Sequence, residues 1–211
     1  NYAQAHFDFG IALERKGQTD EAIRQYQEAI RLMPDHAEAH NNLGAVLDER
    51  GQLGEAIRQY QEVIRLKPDH ADAHNNLGIA LGKQGQTDEA ILQLRETIRL
   101  KPDHPDAHYN LAIALARKGQ MDEAIRQYQE AIRLKPDNAD ACNGLGVALV
   151  EKGQTDEAVR QFQEVLRLKP DYADAHYNLG VAFYHQGRTD EAIRQFQAAI
   201  RLKPEHAEAH N

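Results

Sequence analysis

The sequence predicts an all-α chain built as an array of helical hairpins, and three observations predict it. Six prolines (Pro34, Pro68, Pro102, Pro136, Pro170 and Pro204) recur every 34 residues. Six glycines (Gly17, Gly51, Gly85, Gly119, Gly153 and Gly187) recur at the same interval. Between these marks the apolar residues gather on one face of a helical wheel. Such a chain grows by stacking one small unit, so its 211 residues set the number of units and not the size of one core.

With Ala3, Ala37, Ala71, Pro105, Ala139 and Ala173 as position 1, the prolines take position 32 and the glycines position 15. The units run 3–36, 37–70, 71–104, 105–138, 139–172 and 173–206, with 207–211 as the truncated start of another. The first helix of each unit, A, follows a segment such as Lys67-Pro68-Asp69-His70. Pro68 cannot extend the preceding helix, because it lacks an N–H and its ring clashes with the turn before it. Asp69 is the expected cap, with Asp72 three residues on as a shortened capping box. Helix A stops near the position-15 glycine, which tolerates the left-handed backbone of a helix end. The second helix, B, opens at sequences such as Thr19-Asp20-Glu21-Ala22. Thr19 is the expected N-cap, the acids face the positive end of the helix dipole, and Arg31 and Arg65 favour the last turn.

On the wheel of helix A, positions 3, 4, 7, 8, 10 and 11 share a face and barely change; in the second unit they are Ala39, His40, Leu43, Gly44, Val46 and Leu47. That face is predicted to pack, with Ala39 and Gly44 admitting close helix approach. Helix B offers Ala56, Ile57, Tyr60, Val63 and Ile64 to the same core. One hairpin buries too little apolar area to offset a chain entropy of about 1–2 kcal/mol per residue, so roughly three or more stacked units are needed.

These offsets resemble the tetratricopeptide repeat (TPR), whose pattern is W-x2-L-G-x2-Y, then A-x3-F, then P. The second unit supplies Leu43, Gly44, Leu47, Ala56, Tyr60 and Pro68; the sixth supplies Leu179, Gly180, Phe183, Ala192, Phe196 and Pro204. The departures are His6, His40, His74, His108, Cys142 and His176 at the Trp position, Phe9 for Leu, Ala112 for Gly and Leu94 for the helix-B aromatic. The resemblance implies a right-handed α-solenoid whose A helices line a concave groove that binds extended peptides or partner segments.

Positions 2, 5, 6, 9, 12 and 13 of helix A form the face left free by packing. Position 6 holds Asn42, Asn76, Asn110 and Asn178, interrupted by Asp8 and Gly144. An Asn amide both donates and accepts, so a row of them could grip a peptide backbone whatever its side chains. The row resembles the asparagine ladder in the TPR arm of O-linked N-acetylglucosamine transferases. The alternative is that these amides only satisfy neighbouring helix ends or face water. Position 5 adds Phe7, Asn41, Asn75, Tyr109, Asn143 and Tyr177, with Tyr184 two turns beyond Tyr177. Such tyrosines suit a binding surface, or pack sideways on the next A helix. Position 9 is aliphatic (Ile11, Ala45, Ile79, Ile113, Val147, Val181) and reads as a seam between A helices. The acids at position 2 (Glu38, Asp72, Asp106, Asp140, Asp174) serve the helix dipole or select a basic ligand. A carboxylate clamp of the kind other family members use needs Lys at position 5 and Asn at position 9, and neither is present.

Composition argues against chemistry. The chain has no serine and one cysteine, Cys142, which excludes a serine nucleophile and any disulfide within the chain. Cys142 falls on the packing face and reads as core. The pairs His36/His40, His70/His74, His104/His108 and His206/His210 are spaced i, i+4, which could chelate zinc or nickel adventitiously. The glutamate of a metalloprotease motif is missing, so no metal and no cofactor is expected. The net charge is −8 with no basic run, against a nucleic-acid partner. No apolar stretch approaches a membrane span of roughly 20 residues, and a cytoplasmic location is favoured. Asn1-Tyr2-Ala3 lacks a signal pattern and an initiator Met, as in a segment cut from a longer chain. The expected function is therefore a non-enzymatic scaffold that binds a protein or peptide along its A helices. Two further readings are the substrate-recruiting arm of a larger enzyme such as a glycosyltransferase, and an array that self-associates through uncapped ends.

Overall fold

The computed structural model describes residues 2–203, which form twelve α-helices and no strand. They divide into two units, Asn1–Asp103 and His104–Asn211. The first contains α1 (Tyr2–Arg15), α2 (Thr19–Leu32), α3 (Ala37–Glu49), α4 (Leu53–Leu66), α5 (Ala71–Lys83) and α6 (Thr87–Leu100). The second contains α7 (Pro105–Arg117), α8 (Met121–Leu134), α9 (Ala139–Glu151), α10 (Thr155–Leu168), α11 (Ala173–His185) and α12 (Thr189–Leu202). Odd-numbered helices are the A helices and even-numbered ones the B helices. Within each unit every A helix pairs with the B helix that follows it, and that B helix packs on the next A helix, as α4 does on α5 and α10 on α11. Pro204 and the start of a seventh repeat at 207–211 lie outside the described residues.

The glycine at position 15 stops every A helix in one way. Gly17 has φ +72°, and its N–H and that of Gln18 bond back to the carbonyls of Glu14 and Leu13, each at 2.9 Å. This pair of bonds satisfies carbonyls that the helix end would leave open. The six glycines are the positive-φ residues among those described, so the proposed stop signal is the observed one.

Both expected caps move by one residue. Helix A is capped by His70, whose Nδ1 accepts the Ala73 N–H at 3.1 Å, and not by Asp69, which lies exposed in the turn before it. His36 and His104 cap α3 and α7 likewise, and Asn138 Oδ1 accepts from Ala141 at 3.0 Å. In helix B the N-cap position is Gln18, not Thr19, and its side chain makes no cap bond: the Ala22 N–H reaches the Gln18 carbonyl at 3.0 Å, which makes Thr19 the first helical residue. The glycine turn fixes this frame by placing Gln18 in its last bond. Leu53 and Met121 start α4 and α8 at the same place, so no side-chain oxygen is required there.

The core follows the predicted face. Ala39, Leu43, Val46 and Leu47 are 3% exposed or less, as are Ala56, Tyr60 and Val63 from the paired helix. Gly44 is small for a geometric reason: a methyl there would meet Tyr60 Cε1 at 2.8 Å. The helix-B aromatic thus lies directly over the A-helix backbone. In the second unit Phe162 takes this place against Gly146, beside Leu145, Leu149 and Val165.

Candidate functional site

The A-helix faces hold the predicted binding residues, and the helix-B aromatic organises them from below. Its ring touches position 8 of its own repeat and reaches positions 5 and 6 as well. At position 5 the rings of Phe7, Tyr109 and Tyr177 stand 5.9, 6.1 and 5.9 Å from those of Tyr26, Tyr128 and Phe196. They therefore pack on their own B helix, which neither expected arrangement foresaw. At position 6 the Asn42 amide bonds the hydroxyl of Tyr26, from the preceding repeat, and that hydroxyl donates to Glu14 at 2.6 Å. Burial, then the Glu14 carboxylate, pushes the Tyr26 phenol well above its ordinary range.

In the first unit Asn42 and Asn76 are half-buried on α3 and α5. Asn41 is also half-buried, and its Oδ1 is closed off from solvent without a hydrogen-bond partner. Asn75 is 7% exposed, so it offers a ligand little surface as it stands. The charged end of this face carries Asp48, whose Oδ2 accepts from Lys83 Nζ at 2.7 Å.

The second unit presents a different surface. Asn110 and Tyr109 are half-buried on α7. Asn178 Nδ2 donates to Asn143 Oδ1 at 3.0 Å, which ties α11 to α9. Tyr177 and Tyr184 are 56% and 65% exposed, and Val147 is 37% exposed. The other position-9 residues are half-buried, as a seam requires.

The acids at position 2 are engaged at the helix starts. Glu38, Asp140 and Asp174 meet Lys67, Lys169 and Lys203 at 2.5, 3.5 and 2.8 Å. The Lys67 bond holds the Glu38 carboxyl below its usual range. These contacts favour the helix-end role over selection of a basic ligand.

The histidines are structural fasteners. His40 Nδ1 lies 2.7 Å from Gln59 Oε1 on α4, and its Nε2 lies 3.0 Å from the Pro34 carbonyl. His74 repeats this with Gln93 and Pro68, and His176 with Gln195 and Pro170. His108 meets Gln127 at 2.7 Å. With His36, His70 and His104 used as caps, each i, i+4 pair among the described residues is committed to helix starts and loops. Among the described residues no group of three or more His, Cys, Asp or Glu side chains gathers as a metal site; His206 and His210 lie outside them. Cys142 is 1% exposed, and burial, then Glu164, pushes its thiol up, away from the reactive thiolate. No described helix is long and apolar enough to cross a membrane.

Sequence reasoning missed one set of contacts. On the hairpin turns, position 14 of one repeat bonds position 18 of the repeat before it: Arg50 with Asp20, Lys152 with Asp122 at 2.8 Å, and Gln186 with Asp156 at 2.7 Å. The signal lay in paired substitution, since Gly54 replaces the acid where Gln84 replaces the cation.

Comparison with known proteins agrees with this architecture. The family described as the cilia and flagella-associated protein 70 C-terminal domain matches residues 3–211. No curated protein matches the chain. Among solved structures, YrrB, described as a TPR protein with an unusual peptide-binding site, is 26% identical; the match covers 86% of this chain and 94% of YrrB, with a TM-score of 0.72. MamA is 27% identical over 79% of this chain and 97% of its own, also at 0.72. Pseudomonas aeruginosa pilF, at 18% identity, shares the fold over 99% of this chain and 97% of its own, with a TM-score of 0.83. The hairpins, their glycine stops and the 34-residue register therefore carry one conclusion: the chain belongs to the TPR family of the cilia and flagella-associated protein 70 C-terminal domain.

Proposed function

We propose that this chain is a protein-interaction scaffold without chemistry of its own, and that its A-helix faces grip an extended peptide segment. One observation carries the reading: amide side chains recur at position 6 of four A helices, each half-buried, with Asn42 anchored by the Tyr26 hydroxyl and Asn178 by Asn143. An anchored amide loses little freedom on binding, so its hydrogen bonds to a peptide backbone come at low entropic cost. The likeness to YrrB, described as a TPR protein with an unusual peptide-binding site, supports a peptide ligand. Asn42, Asn76, Asn110 and Asn178 are the primary contacts; Asn41, Asn75, Asn143, Tyr109, Tyr177 and Tyr184 flank them. Selection of a random twelve-residue peptide library displayed on phage against the immobilised chain tests this. Part of the enriched peptides should lose about tenfold in affinity when Asn42, Asn76 and Asn110 are all changed to Ala, with the helical circular dichroism retained. Failure of any peptide to enrich, or the absence of any enriched peptide that weakens in the triple variant, would overturn the reading.

A further inference from the structure

The A-helix face of the second unit is more aromatic and aliphatic than that of the first. On α11, Tyr177, Val181 and Tyr184 are spaced i, i+4 and i+7, so they share one stripe. Two turns separate the tyrosines, about 10 Å along the axis. Val147 and Asn143 lie on α9, which packs beside α11. Both tyrosines are more than half exposed and Val147 is over a third exposed, so this is the open aromatic and aliphatic part of the face.

Two features define what fits there. The first is charge. Acids at the helix starts, Asp140 and Asp174, are taken by Lys169 and Lys203, and Tyr172 also donates to Asp140 at 2.9 Å. Glu151 and His185 sit at the opposite helix ends. The middle two turns carry no charge on either helix, so a charged side chain would lose hydration there without gaining a partner. The second is the bonded amide pair. Asn178 Nδ2 is spent on Asn143 Oδ1, which leaves the Asn178 oxygen as an acceptor and the Asn143 nitrogen as a donor. A donor and an acceptor side by side complement the N–H and C=O of one peptide unit. The pair thus positions a backbone, while the tyrosines flank the side chain that this backbone presents.

We propose that this surface binds an uncharged extended segment of a partner protein, with an aliphatic or aromatic side chain seated between Tyr177 and Tyr184 and its backbone held by the Asn143–Asn178 pair. The proposal rests on the peptide-binding reading above and names the class of segment for this part of the face. The library selection distinguishes the two. Peptides selected on the wild-type chain are measured against Y177S/Y184S, Y177F/Y184F and N42A/N76A variants. The expected result is a family of peptides with an uncharged aliphatic or aromatic core whose affinity falls at least about tenfold in the serine variant. It should survive in the phenylalanine variant and in N42A/N76A. Both tyrosines are more than half exposed, so the serine variant loses only the Tyr177–Phe196 ring contact and should keep its helical circular dichroism and cooperative unfolding. Peptides that bind through the asparagines but ignore the serine changes, or that enrich for charged residues, overturn this proposal and leave the general reading standing. No enrichment at all overturns both. Self-association of the wild type that Y177S/Y184S abolishes would assign the face to a second copy and also overturn it.

Discussion

The two units share one packing scheme yet present unlike A-helix faces. In the first, Asn41, Asn42 and Asn76 make the second and third repeats polar beside Phe7 of the first repeat, and Asp48 with Lys83 adds a charged edge. In the second, Tyr109, Tyr177, Tyr184 and Val147 make it aromatic and aliphatic. The residues beneath are nearly the same in both. The packing positions are held by volume, because each must fit a helix-B ring or a neighbouring backbone. Face residues clear of the helix-B ring meet no such limit, so one scaffold can carry two chemistries.

The comparison extends to the rings below, and alkali should break it with the largest effect. Burial pushes the phenols of Tyr26 and Tyr60 in the first unit, and Tyr128 in the second, well above the ordinary tyrosine range. A group whose pKa is raised on folding gives stability that is intact below its unfolded value, about 10 for tyrosine, and is lost as pH rises beyond it. Raised phenols lie in both units: burial also pushes up Tyr109 and, with Asp140, Tyr172 in the second. Amide hydrogen exchange between pH 9 and 11 should therefore lose protection in both, in α1–α4 around Tyr26 and Tyr60 and in α7–α11 around Tyr109, Tyr128 and Tyr172. Protection unchanged through pH 11 in those helices would show that the buried phenols carry no such linkage.

A second test sharpens the contrast at one ring. The fourth repeat has Ala112 where the others have glycine, so its methyl occupies the space under Tyr128. Tyr128 lies instead against Gly144, where a methyl would meet Cε1 at 2.6 Å, and Gly144 stands where four other repeats have asparagine. The two departures compensate. Gly144→Asn should destabilise by about 2 kcal/mol through overpacking. Adding Ala112→Gly should recover at least half, and urea midpoints of the four chains in the cycle measure it. Additive effects would mean that Tyr128 does not link the two positions.

The smallest effect concerns the hairpin turns. Lys152→Ala removes a bond to an exposed Asp122, so it should lower the melting temperature slightly at low salt and not at all at high salt. Gln84→Ala faces Gly54 and should change nothing at either salt.

The helix pairing, glycine stops and buried face were legible in the sequence, because each is fixed by a residue type that few alternatives can replace. The caps were off by one because several polar residues cluster at each helix start, and only the turn geometry decides which one reaches the N–H. The candidate face was legible as a wheel position. Its inner wiring was not: the helix-B ring reaches positions 5 and 6 only because position 8 is small, and that is a property of two helices together. The Asn143–Asn178 bond joins residues 35 apart, beyond what one repeat can reveal.

One substitution leaves a seam. Wherever His40, His74 or His176 stands, an imidazole stitches the B helix of its repeat to the loop entering that repeat. Cys142 is too short to make that stitch, so the loop at Pro136–Asn138 goes without it. Under tension, the second unit should tear first along that line, which makes a lone sulfur the mechanical fuse of its half of the chain.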